Sequence, residues 1–145
     1  MKKTENIVSR VREFNRFYTV FMGTLNYQTL DSNYSVTESR ILFELFSNEN
    51  VTANFLAEQL HLDKSYISRL LKNFERHKLI SKKTSLEDKR SFNLFLTEKG
   101  TLITIELIKN TNQQIEELIL PLNKTNKKKL VAAMDTITQL LKSID

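Results

Sequence analysis

Apolar residues recur along the first part of the chain at Ile7, Val11, Phe14, Tyr18, Phe21 and Leu25, alternately four and three positions apart. That spacing is the seam of a helix packing on other helices, and it predicts a first helix over roughly 5–28. Leu130, Met134, Ile137, Leu141 and Ile144 repeat it near the other end, and Ile105, Ile108, Asn112, Ile115 and Ile119 do so with one polar member. Pro121 separates these last two helices, because proline lacks the N–H that a helix interior uses. Three such seams exceed what the core of one small domain needs. They predict a helical platform at the termini that joins two subunits, with a monomeric helical bundle as the alternative.

The middle of the chain is different in kind. Ser35 followed by Glu38 fits a capping box, with Thr37 a competing cap, and opens a helix carrying Ile41, Leu42, Leu45 and Phe46. Thr52 can cap a short helix with Leu56, Ala57 and Leu60, and Asp63 can cap the next, where Ile67, Leu70, Leu71 and Phe74 follow the helical template completely. Two short helices therefore abut across a tight turn. After Leu79 and Ile80 the period switches to two: Phe92, Leu94 and Leu96 alternate with Ser91, Asn93 and Phe95, and Thr97 ends the run as a helix cap. A strand pair joined by the polar tip SLEDKR follows. The fold class is mainly α with a small β-hairpin, and no internal repeat or low-complexity segment interrupts it.

Composition narrows the possibilities further. The 145 residues, 40% hydrophobic and 27% charged, suit one globular unit, and two Gly with one Pro argue against an all-β or doubly wound sheet. Zero Cys removes disulfides, thiol redox chemistry and Cys-containing zinc sites. The segment after MKK has no apolar h-region, and no stretch is long and apolar enough for a membrane span, so a soluble, cytoplasmic chain is expected. Lys and Arg outnumber Asp and Glu by 22 to 17, a net charge of +5 that suits a polyanionic partner. The run KTNKKK at 124–129 reads as a solvated first helical turn.

On a helical wheel the Asp63–Arg76 segment turns Ile67 and Leu71 to one side and Ser65, Arg69, Lys72 and Arg76 to the other, flanked by Tyr66, Ser68 and Asn73. The polar face holds no acid. An ordinary solvated face mixes signs to gain ion pairs, as Glu75 on the flank can, whereas a helix meant for a phosphate-lined groove excludes carboxylates. In a helix-turn-helix the first half of the second helix reaches base edges, which nominates Ser65, Tyr66, Ser68 and Arg69 for reading. Lys72 and Arg76 then fall to phosphates. The hairpin tip adds Lys89 and Arg90 near Lys82 and Lys83, and an arginine there can enter a narrow minor groove. Asp88 either pairs with Arg90 or with a basic group of the helix, holding the arginine's direction, or is simply a turn former.

The element order, LAEQLHLDKSYISRLLKNFERHKLI in the middle and DKRSFNLFLTEKG after it, with Asp-x-Arg, Leu-Thr and Gly, resembles the MarR family of winged helix-turn-helix transcriptional regulators across essentially the whole chain. FNRFYT at 14–19 and LDKSYISRLLKNFE at 62–75 also resemble the MarR-type module that in some proteins precedes an acetyltransferase domain, which is absent here. The resemblance implies one MarR-like domain, with dimerisation helices at 5–28 and 102–145 and a winged lobe at 35–98. It implies a homodimer on a pseudo-palindromic operator, repression as the usual outcome, and often a small-molecule pocket between platform and lobe. By position, the recognition helix is Asp63 to His77, and the wing arginine is Arg90 with Asp88 its partner. Phe95 departs from the polar residue usual at its strand position, which leaves it either touching another part of the dimer or exposed. The redox-sensing branch needs an N-terminal cysteine that this chain lacks, and the zinc-sensing branch needs a ligand cluster, whereas only His61 and His77 occur.

No nucleophile with a base, phosphate-cradling glycine run or carboxylate pair forms a catalytic set, Gly23 and Gly100 being isolated, so an enzyme is not expected. No cofactor or metal is expected either, and both histidines read as structural. Phe14, Tyr18, Phe21 and Tyr27 can stack on a hydrophobic or phenolic effector, yet three of them are also seam positions that suit a dimer core. The expected function is a sequence-specific, ligand-responsive repressor of double-stranded DNA. The alternative is a winged-helix module that binds protein instead.

Overall fold

A computed structural model describes residues 2–28 and 33–144 of the chain, with side chains from residue 6 to 23 and from 33 onward. Among the described residues six helices and one hairpin follow in the order α1 (Lys2–Gln28), α2 (Val36–Ser47), α3 (Ala53–Leu60), α4 (Lys64–Arg76), β1 (Ile80–Thr84), β2 (Phe92–Leu96), α5 (Glu98–Ile119) and α6 (Lys124–Lys142). The first helix begins a turn ahead of its apolar seam, since polar residues such as lysine and glutamate propagate a helix well without packing on anything. The chain divides into two compact units, residues 1–110 and 111–145.

The helix starts follow local chemistry. Ser35 and Glu38 form the reciprocal capping box of α2: the Ser35 hydroxyl accepts from the Glu38 N–H at 3.1 Å, and the Glu38 carboxylate accepts from the Ser35 N–H at 2.9 Å. Thr37, the competing cap, lies inside the helix. Thr52 accepts from the Phe55 N–H to start α3, and Asn123 accepts from the Asn126 N–H to start α6. Each bond satisfies an amide that the first helical turn leaves unpaired. Lys124, Lys128 and Lys129, all exposed, lie in the opening of α6, as expected of a solvated turn.

The core lies wholly in the first unit. Ile41, Leu42 and Leu45 of α2 meet Leu56, Ala57 and Leu60 of α3, Ile67, Leu71 and Phe74 of α4, Leu79, Ile80 and Leu94 of the hairpin, and Leu107 of α5. Val51 joins them, and its carbonyl accepts from the Leu94 N–H at 2.8 Å, so the segment before α3 is stitched to β2. The hairpin is antiparallel with Ile80 opposite Leu96, Lys82 opposite Leu94 and Thr84 opposite Phe92. Thr97 ends β2 and caps α5. Its hydroxyl accepts from the Gly100 N–H at 3.1 Å while donating to the Lys78 carbonyl at 2.7 Å.

The described side chains of α1 and the whole of α6 contain no buried residue. In α1, Ile7, Val11, Phe14 and Tyr18 are exposed, and in α6 so are Met134, Ile137 and Leu141. A monomer that folded these seams inward would have buried them.

Candidate nucleic-acid interface

The turn between α3 and α4 sets how α4 is presented. His61 adopts the left-handed conformation (φ 50°, ψ 47°) at the end of α3, and its N–H and that of Leu62 return to the last carbonyls of that helix. Three residues then suffice to redirect the chain. Asp63 starts α4 by accepting from the Ser65 N–H at 3.0 Å and the Tyr66 N–H at 3.3 Å. Its carboxylate is thereby turned onto the positive end of its own helix, which removes the one acid at this entry from the outward face.

Ile67, Leu71 and Phe74 are buried, and Ser65, Tyr66, Ser68, Arg69, Lys72 and Arg76 are all exposed, as the wheel places them. The Arg69 guanidinium lies 5.7 Å from the centroid of the Tyr66 ring, one turn before it. Such a cation–π contact restrains the arginine while leaving its N–H fork free to donate. Arg76 donates to the Asn73 side-chain oxygen at 2.7 Å, and Lys72 has no side-chain partner among the described residues. Lys99 of α5 donates to the His77 carbonyl at 3.1 Å, and the His77 Nδ1 lies 2.8 Å from the Asn73 carbonyl, so the end of α4 is tied as Asp63 ties its start. Neither histidine belongs to a group of metal-ligating side chains among the described residues.

Glu75 does not pair along its own helix. Its carboxylate lies 3.2 Å from Lys82 of β1, and the same ammonium sits 5.3 Å from the centroid of Phe92. On the opposite face of the hairpin Lys83 covers Phe95 at 5.4 Å from its centroid, leaving that ring 38% exposed. Phe95 is therefore exposed on its strand and shielded by a lysine stem.

At the hairpin tip Asp88 takes the role of a turn former. The Asp88 carboxylate accepts from the backbone N–H of Arg90 at 2.9 Å, and among the described residues the Arg90 guanidinium has no partner. Asp88 positions Arg90 through the backbone, as a turn former does, and leaves its charged end free. Ser85, buried at the base, accepts from the N–H groups of Glu87 and Asp88 and donates its own to Ser91, whose N–H returns to the Asp88 carbonyl. Lys89 and Arg90 are exposed on this braced loop. So is Leu86, which the alternation of the strands passes over as part of a polar tip. At 99% it is the most exposed of the large apolar residues described, and only its place in a short loop hinted at that.

The aromatic residues of α1 stack on one another: Phe14 on Tyr18 with centroids 5.5 Å apart, Tyr18 on Phe21 at 6.2 Å, and Phe17 on Phe21 at 5.9 Å. The side chain of Tyr27 lies outside the described residues. Among the described residues no helix is long and apolar enough to cross a membrane.

Known proteins share this arrangement. A family model described as MarR family matches residues 34–92, the span from just before α2 to the start of β2. The organic hydroperoxide resistance transcriptional regulator of Bacillus subtilis (strain 168) is 31% identical over 123 residues, covering 83% of this chain and 80% of the relative. Among solved structures, the S. aureus MepR–DNA complex superimposes with a TM-score of 0.73 at 20% identity, covering 90% of this chain and 97% of that one. Wild-type MarR from E. coli in its apo form does so with a TM-score of 0.74 at 17% identity, covering 87% and 94% of the two chains. At these identities the two structures speak for the fold.

Proposed function

The chain belongs to the MarR family, and from that premise we propose that it is a transcriptional regulator, not an enzyme, which binds an inverted-repeat operator in double-stranded DNA as a homodimer. One observation carries the proposal: the exposed face of α4 is basic and free of acid, with its nearest carboxylates, Asp63 and Glu75, each engaged by a partner inside the protein. A face of that composition, braced at both ends, suits a major groove. Ser65, Tyr66, Ser68 and Arg69 read base edges, Lys72 and Arg76 hold phosphates, and Lys89 and Arg90 follow the minor groove, with Asp88 fixing the turn that carries them. A DNA partner in turn makes the cytoplasm the working compartment.

The homodimer is supported by the apolar seams of α1 and α6, which the chain leaves open to solvent. We assign Phe14, Tyr18 and Phe21 to that subunit contact, because their rings already occupy one another's faces. A hydrophobic or phenolic effector sharing the same aromatic surface is the second role open to them. The sequence contains no cysteine, so none of its own residues offers a thiol with which to sense a signal.

Selection from a random-duplex library at two salt concentrations tests the proposal. Enrichment of an inverted repeat with half-sites about one helical turn apart supports it. Retention without enrichment, vanishing at higher salt, refutes specific binding and favours a protein partner for this face. Two substitutions sharpen the roles. Arg69→Ala is expected to cost about 1–2 kcal/mol over the two half-sites and to relax the preference at one base position in each. Lys72→Ala is expected to weaken enriched and unselected duplexes alike and to lower the salt slope by about one for each phosphate that is no longer neutralised. Affinity titrations at several salt concentrations distinguish the two patterns.

A further inference from the structure

The tip that carries Arg90 carries a second exposed residue. Leu86 is 99% exposed, whereas its immediate neighbour Ser85 is buried and binds three backbone groups of the loop. The backbone that carries the leucine is therefore braced and loses little further conformational entropy on contact. The charges of the tip, Glu87 and Asp88 against Lys89 and Arg90, cancel. A neutral tip adds little long-range attraction to a polyanion, so what it contributes arises at contact distance.

We propose that Leu86 is a specificity-determining residue of the wing, an apolar contact in the minor groove that favours base steps which open or unstack readily. The inference rests on the DNA-binding reading above and deepens it. An apolar side chain pressed between the walls of the groove sheds water and widens the step it meets, and the cost of that deformation depends on sequence. Arg90 seats the tip, at contact distance, in a negative, narrow groove. Leu86 then discriminates among sequences by how easily they yield, without reading a base edge.

The test repeats the random-duplex selection with the wild-type protein, L86S and L86M, followed by titration of each against the wild-type-enriched duplex and an unselected one at two salt concentrations. Because the side chain is open to solvent on all sides, the variants are expected to keep the wild-type melting temperature. L86S should bind the enriched duplex about tenfold more weakly, leave the unselected duplex and the salt slope unchanged, and lose preference only at positions flanking the half-sites. L86M should restore the preference. The proposal is overturned if L86S enriches the same flanks with the same affinity, or weakens both duplexes equally. If the wild-type protein enriches no sequence at all, the DNA-binding reading itself fails, before any variant is compared.

Discussion

Gly100→Ala is expected to lower folding stability by about 2–4 kcal/mol, the loss of an added methyl group that has no room. Gly100 lies in the first turn of α5, where a Cβ would collide with the Leu79 carbonyl oxygen and crowd the backbone on either side of it. That carbonyl cannot withdraw, because it accepts from the Thr97 N–H at 2.9 Å, and the Thr97 hydroxyl, whose one proton goes to the Lys78 carbonyl at 2.7 Å, lies 3.2 Å away. Thr97 in turn caps α5 through Gly100, and the Thr104 hydroxyl, fully buried, donates to the Gly100 carbonyl at 2.7 Å. The helix and the backbone at Leu79 are thus locked in close approach. Relief by moving α5 would break the cap and disturb Leu107 in the core. Urea and thermal melts should show a lower midpoint with an unchanged denaturant slope, a fall of roughly 6–12 °C. Gly23→Ala supplies the contrast, since a Cβ there meets nothing within 4 Å in the chain and a helical alanine is favoured over glycine by about 0.5–1 kcal/mol. Equal melting temperatures for Gly100→Ala and wild type would refute the close-approach account.

The features legible in the sequence are those whose cause is local. The capping box at Ser35 and Glu38, the caps at Thr52 and Asp63, and the burial of Ile67, Leu71 and Phe74 opposite Arg69 and Lys72 follow from spacings within one or two turns, and the structure reproduces them. The strand alternation around Leu94 is equally local, and it located the hairpin, though Phe92 on the same face stays largely exposed beside Lys82. Contacts between elements were not legible. Glu75 finds Lys82 across the α4–β1 connection, Leu94 binds Val51, and Gly100 meets Leu79, none of which a periodic pattern encodes. The tip shows the same limit at short range. Asp88 and Arg90 stand two positions apart, compatible with a side-chain ion pair or a backbone turn, and only the path of the loop decides for the latter. Leu86 carried no signal beyond being an apolar letter in a polar stretch.

That geometry makes Arg90→Ala the most informative substitution for binding, with an expected loss of about 2–3 kcal/mol for the operator as a whole, or about 1–1.5 at each of two half-sites. The guanidinium leaves the tip without a partner among the described residues, so its removal costs no folding stability and exposes no buried group. The whole loss should appear in DNA affinity. Arg90→Lys separates charge from shape: a lysine keeps the electrostatic attraction but is a more strongly hydrated point charge than the planar fork of arginine. It should recover the salt slope and the affinity for unselected DNA while leaving the preference for a narrow minor groove impaired. Alanine at Asp88 would act differently, because it frees the Arg90 N–H and loosens the turn without removing the cation. If Arg90→Ala left both affinity and sequence preference untouched, the wing would have no place in the interface, and recognition would rest on α4 alone.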